Sequence, residues 1–160
     1  MSFLIRLLTA AALLLSLFWM FRFAMGLRYA KLRREEERRA EQAKGRRLVA
    51  ELPTHTGDVV LFLEDASLFL WGEQELRKGE IVGARLMLNG RVVDTCQQRE
   101  AALPSAGWDE EHDGRERWDV LVYLRGGRAF EVPCGSLREG VSREAAQRVF
   151  GAVAKAIATG

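Results

Sequence analysis

Two cysteines, two histidines and one acidic cluster are the groups in this chain that could do chemistry. Cys96 and Cys134 are candidate nucleophiles. A thiol attacks as the thiolate and needs a base or a positive neighbour to become one near neutral pH. Neither cysteine has a histidine beside it in sequence, and a free cysteine at a strand end more often fills space as a small apolar side chain. The run Asp109-Glu110-Glu111-His112-Asp113 offers carboxylate oxygens and an imidazole to a divalent cation. Its spacing matches neither a calcium-binding loop nor a zinc pattern, no CxxC pair is present, and there is no P-loop or GxGxxG. His55 stands alone in a loop. Arg125-Gly126-Gly127-Arg128 looks like an RGG element, but a single copy between two strands is a turn. These residues predict no catalytic group, no metal site, no cofactor and no enzyme.

What remains is binding. Trp108 lies in a weakly patterned stretch directly before Asp109, Glu110 and Glu111, and aromatic side chains are favoured anchors at protein interfaces. Those four residues are the candidate partner-binding group. Trp118 begins an alternating run and reads as a core residue.

The elements that must position these residues follow from periodicity. Asp58 to Glu64 and Ser67 to Trp71 are short apolar runs separated by Asp65-Ala66 and read as a hairpin. Gly72 to Gly79 is a polar connection. Glu80 to Leu88 and Arg91 to Thr95 flank Asn89-Gly90, the strongest hairpin signal in the chain. Cys96 to Arg117 reads as a long loop, with room for a short edge strand near Ala101 to Leu103. Trp118 to Leu124 alternates cleanly, Gly126-Gly127 turns, and Arg128 to Val132 pairs back until Pro133 stops it. Ser142 is placed to cap a final helix running to about Ala158, with Ala146, Val149, Phe150, Val153 and Ile157 on one stripe.

The N-terminal part has a different character. Leu7 to Phe21 carries no charge, and Arg6 and Arg22 on its flanks have stems long enough to snorkel, so Phe3 to Met25 is expected to span a membrane. Leu7, Leu13, Leu15, Trp19 and Phe21 are the span residues. From Arg22 to Arg47 ten basic residues face four glutamates, a net of 10 − 4 = +6. Arg22, Arg28, Lys31, Arg33 and Arg34 lead that run and are assigned to lipid head groups and orientation. Basic residues beside a span stay in the cytoplasm. The expectation is a single-pass protein of the cell (inner) membrane with its C-terminal domain cytoplasmic. Arg28 to Arg47 is built from good helix formers with acid–base pairs such as Arg33 and Glu37 at helical spacing. It reads as a solvated stalk that frays near Gly45. Removing Arg6 and the basic run from the net charge of +2 leaves +2 − 1 − 6 = −5 for the remainder, which excludes nucleic acid as a partner.

Strands closed off by one C-terminal helix resemble the pleckstrin-homology (PH-like) superfold, including small bacterial PH and GRAM-type domains. The resemblance covers about Asp58 to Ala158 and rests on element order, on the second strand Ser67-Leu68-Phe69-Leu70-Trp71, and on Val149, Phe150 and Val153. It implies a mainly β fold, an antiparallel meander of six to seven strands capped by one amphipathic helix. Lipid-binding members of that family place basic residues in the first inter-strand loop. Here that loop is Glu64-Asp65-Ala66, so the resemblance implies protein contact instead. The expected organisation is an anchor at residues 1–26, a basic helical stalk at 27–52 and a PH-like domain at 53–160. The expected function is a non-enzymatic adaptor or accessory subunit with a protein partner at the membrane, lipid meeting the anchor and stalk. Two alternatives stand beside it. One is an envelope-facing exported domain with a Cys96–Cys134 disulfide. The other is a structural subunit assembling through Ala10, Ala11 and Ala12 in a larger membrane complex.

Overall fold

Apolar runs of alternating period, punctuated by residues that accept positive φ, fold back on one another as antiparallel pairs. The structure, a computed structural model, describes residues 2–54, 58–99, 101–104, 116–135 and 139–159; the side chains of residues 2–12, 27, 30, 31, 34, 139 and 140 lie outside that description. The chain divides into two units, Met1–Lys44 and Gly45–Gly160.

The first unit is one helix, α1 (Ser2–Ala43). Among the described residues no helix is long and apolar enough to cross a membrane. That overturns the single-pass inner-membrane placement and the topology built on it. The physical reason is length. Among the described side chains of α1 the apolar residues reach from Leu13 to Met25 with Arg22 between them, and the stretch that this charge leaves uninterrupted, Leu13 to Phe21, is too short to cross a hydrocarbon core. Of the expected span residues, Leu13, Leu15, Trp19 and Phe21 are exposed on α1, and the side chain of Leu7 lies outside the described residues. The helix ends before Gly45, whose φ of 78° is natural for a helix C-terminal stop.

The second unit holds two four-stranded antiparallel sheets and a C-terminal helix. Strands β1 (Arg47–Pro53), β2 (Val59–Glu64), β3 (Leu68–Trp71) and β4 (Gln74–Arg77) form the first sheet in chain order. A short 3₁₀ turn at Lys78–Glu80 leads into β5 (Ile81–Leu88), β6 (Arg91–Gln97), β7 (Trp118–Leu124) and β8 (Ala129–Gly135), which form the second sheet in the order β6-β5-β7-β8. The expected six- to seven-stranded meander is therefore overturned: the described residues form eight strands in two sheets, and the second sheet is not a meander. β1 lies within the segment expected to be helical stalk, and β4 within the polar connection. Both are short and carry few inward residues, Ala50 and Leu52 in one and Leu76 in the other. β8 runs through Pro133, which an edge strand tolerates because its N–H side needs no ladder partner.

The turns are where the residue types put them. Asn89 and Gly90 have φ of 50° and 72°, as a two-residue turn matched to strand twist requires. Arg117 closes over this turn, its backbone N–H donating to Asn89 Oδ1 at 2.7 Å.

One core lies between the two sheets and α2 (Glu139–Thr159). Phe62, Phe69 and Leu76 come from the first sheet, Ile81, Val120 and Val132 from the second, and Ala146, Val149, Val153 and Ile157 from the helix stripe. Phe62 stacks on Phe69 at 5.5 Å and on Trp71 at 5.8 Å, and Phe130 meets the Trp71 edge at 6.5 Å, joining the sheets through aromatic contact. Ser142, expected at the cap, sits inside α2 with 1% exposure.

β7 is buried on both faces. Its core face carries Trp118, Val120, Val122 and Leu124. Its other face carries Leu121 and Tyr123, which with Met87, Val82 and Leu103 make a second, smaller cluster. The order of the sheet explains it. β6 and β7 flank β5 and both run antiparallel to it, so the connection between them must cross β5. Leu103 from that connection lies against Gly83, where a Cβ would come within 2.7 Å of the leucine Cδ2. The Arg85 guanidinium fixes the segment by donating to the Pro104 carbonyl at 2.6 Å and to Tyr123 Oη at 3.1 Å.

Candidate interaction surface

Trp108, Asp109, Glu110 and Glu111 lie outside the described residues, as do His55 and His112. Arg22, Arg28 and Arg33 are exposed on α1, and Arg33 Nε donates to Glu37 at 3.3 Å as the helical spacing suggested. The side chains of Lys31 and Arg34 lie outside the described residues.

The reactive groups are placed for structure. Cys134 is fully buried on β8. Burial pushes its thiol far above the usual range, and the negative charge of Asp119 adds to the rise. Cys96 is half-buried at the far edge of the same sheet. β6 and β8 are separated by two strands, so three inter-strand steps alone put the cysteines at least about 14 Å apart. A disulfide needs Cα atoms within about 7 Å, and both thiols are free. A soluble alkylating reagent is therefore expected to modify Cys96 in the folded protein and Cys134 only in denaturant, as read by intact mass. Equal labelling of both in the native state would contradict the burial of Cys134. Among the described residues no three His, Cys, Asp or Glu side chains gather as a cation would require.

Charged groups elsewhere hold turns together. Glu64 accepts from Lys78 at 2.8 Å and from Arg47. Burial opposes its ionisation, but the hydrogen bonds from Lys78 and Arg47 outweigh that and hold the carboxyl below its ordinary range. Asp65 accepts the backbone N–H groups of Ser67 and Leu68, both at 2.7 Å, and so shapes the β2–β3 turn.

The four sheet edges differ in what they offer a partner. β4 has four residues and exposes Gln74, Glu75 and Arg77, a short charged edge of the kind that resists pairing. β1 carries a register shift between Leu48 and Ala50 and ends at Pro53, which packs over Gly135 at the end of β8. β6 is different. All its residues except Cys96 are exposed, on both faces. Val92 and Val93 are 44% and 52% exposed, and the other large exposed apolar side chain described in this unit is Val141. Leu86 pairs with Asp94 and Met87 with Val92, so Val93 is the extra residue of a bulge and its side chain is thrown outward. Beyond the bulge, Asp94 to Gln97 pair regularly with β5; among the described residues β6 is the outermost strand of its sheet, and its Thr95 N–H donates to Asp94 Oδ1 at 2.7 Å. The sequence carried a signal for this: two adjacent valines in a seven-residue strand cannot both face a core under strict alternation.

No protein-family model, no curated protein and no solved structure matches this chain, so its fold is tied to no named family.

Proposed function

We propose that the Gly45–Gly160 unit is a non-enzymatic protein-binding module, an adaptor or accessory subunit, that receives its partner along the edge of β6. The observation that carries this reading is the exposure of that strand on both faces, with Val92 and Val93 adjacent in solvent. An apolar patch on an otherwise well-covered surface marks an interaction site. Backbone groups of Asp94 to Gln97 supply affinity in the manner of strand addition, and the valines supply the apolar contact. Binding rather than catalysis is supported by the cysteines, since Cys134 is buried and held protonated.

The test is a complex isolated from the native source. The expected result is a stoichiometric partner that cross-links to a photoreactive residue at position 93 but not to one at position 74 on β4. Val93→Lys should weaken that complex about ten-fold or more, as loss of an interface anchor does, while leaving the melting temperature unchanged. A complex that survives Val93→Lys, or cross-links equally at position 74, sinks the reading.

A further inference from the structure

The largest exposed apolar surface of the described chain is not on the sheets but on α1. Leu14, Leu17, Phe18, Trp19, Phe21 and Phe23 are each between 60% and 71% exposed. Successive residues of a helix point about 100° apart, so Leu13 to Phe21 carries apolar side chains in every direction around the axis, with Arg22 the first charge after it. Ser16 is the one hydroxyl described in it, and its Oγ donates to the Leu13 carbonyl of its own helix at 3.1 Å. A polar group satisfied within its own helix asks nothing of the surroundings, as a hydrocarbon environment demands.

A helix stretch without a polar face is covered on all sides, by packed protein or by lipid. The flanking charge is specific. Arg22, Arg28, Lys31, Arg33 and Arg34 follow with no acidic residue until Glu35. An apolar stretch bordered by an unbroken basic run matches hydrocarbon beneath anionic head groups.

We infer that the apolar part of α1 seats in a lipid surface bearing anionic head groups, with Arg22 and Arg28 at the head-group level. Contact with lipid is what the exposure and the basic border together call for, and passage through a bilayer is not part of it. The seat is independent of β6, so either reading can fail without the other.

The experiment uses the full chain, diluted from detergent into vesicles of phosphatidylcholine with or without phosphatidylserine, and read by flotation. The expected result is flotation with the phosphatidylserine vesicles. Leu17→Asp/Phe21→Asp should reduce it about ten-fold or more. Arg22→Glu/Arg28→Glu should reduce binding to phosphatidylserine vesicles about ten-fold and leave binding to pure phosphatidylcholine unchanged. Melting of the Gly45–Gly160 unit, whose core contains no α1 residue, checks that each variant is folded. The inference is overturned if the chain remains unbound as a discrete detergent-free oligomer, which would mean that copies cover the helix. It is overturned equally if Leu17→Asp/Phe21→Asp floats like the parent.

Discussion

Phe69→Ala is expected to cost the Gly45–Gly160 unit about 3–5 kcal/mol, the range for truncating a buried aromatic residue. Phe69 has no exposed surface, stacks on Phe62 at 5.5 Å and lies under the Lys78 ammonium, 5.0 Å from the ring centroid. Alanine would remove the transfer energy of the ring, leave a cavity between β3 and β2, and end the cation–π contact, itself about 0.5–1 kcal/mol. Phe62 and Trp71 are held in a stack that cannot close over the gap without leaving their own contacts. The measurement is the shift in denaturant midpoint at unchanged slope. Phe130→Ala is the comparator, because Phe130 is half-buried and packs at the margin of the core, and its loss should cost clearly less. A cost below about 1.5 kcal/mol for Phe69→Ala, within the range of a conservative core swap, would mean that the stack is not the centre of the core.

Gly135→Ala is the second large effect. Gly135 has φ of +92°, a conformation that L side chains rarely adopt, and a Cβ there would lie 2.6 Å from Pro53 Cγ and 3.5 Å from Ser142 Oγ. The backbone strain costs about 1–3 kcal/mol. Overpacking adds about 1–3 kcal/mol because a proline ring has little freedom to retreat. The contact joins β1 to β8, so relief by moving Pro53 would disturb both edges at once. Gly126→Ala separates the two contributions. Gly126 has φ of +94°, but a methyl group there would find nothing within 4 Å, so it should show the backbone cost alone. If the two substitutions cost the same in thermal or chemical unfolding, the close approach of Pro53 has no energetic weight.

Much of the second unit can be read from local residue types. Asn89-Gly90 predicted a two-residue turn and the backbone adopts one. Val149, Val153 and Ile157 share a helical stripe and all three enter the core. What the residues do not announce is which strands pair. The alternation in Glu80 to Leu88 and Trp118 to Leu124 shows two strands, but not that they are neighbours with β6 on the far side of one of them. Alternation reports the environment of each side chain, whereas pairing is decided by long-range closure. β1 escaped notice because Ala50 and Leu52 follow a long run of helix-forming charge, and helical periodicity masks a short strand at its end. β4 escaped because only Leu76 of its four residues turns inward. In α1, the apolar run and its basic border were plain, yet among the described residues no helix is long and apolar enough to cross a membrane. Of the candidate site, the acidic cluster drew attention by composition. The adjacent valines of β6 carried a quieter signal, because exposure becomes visible only when the strand is known to be an edge.

The crossing of β5 by the segment after β6 bears on how the unit reaches its fold. The first sheet grows by joining neighbours in sequence, so each pairing closes a short loop at small entropic cost. The second sheet cannot be completed in that way. β7 must find β5 across the whole of β6 and the connection that follows, the segment that lays Leu103 on Gly83 and is held by Arg85 at Pro104. Non-local pairing is slow, so the β5–β7 seam, rather than the hairpins, is expected to set the pace at which the unit folds.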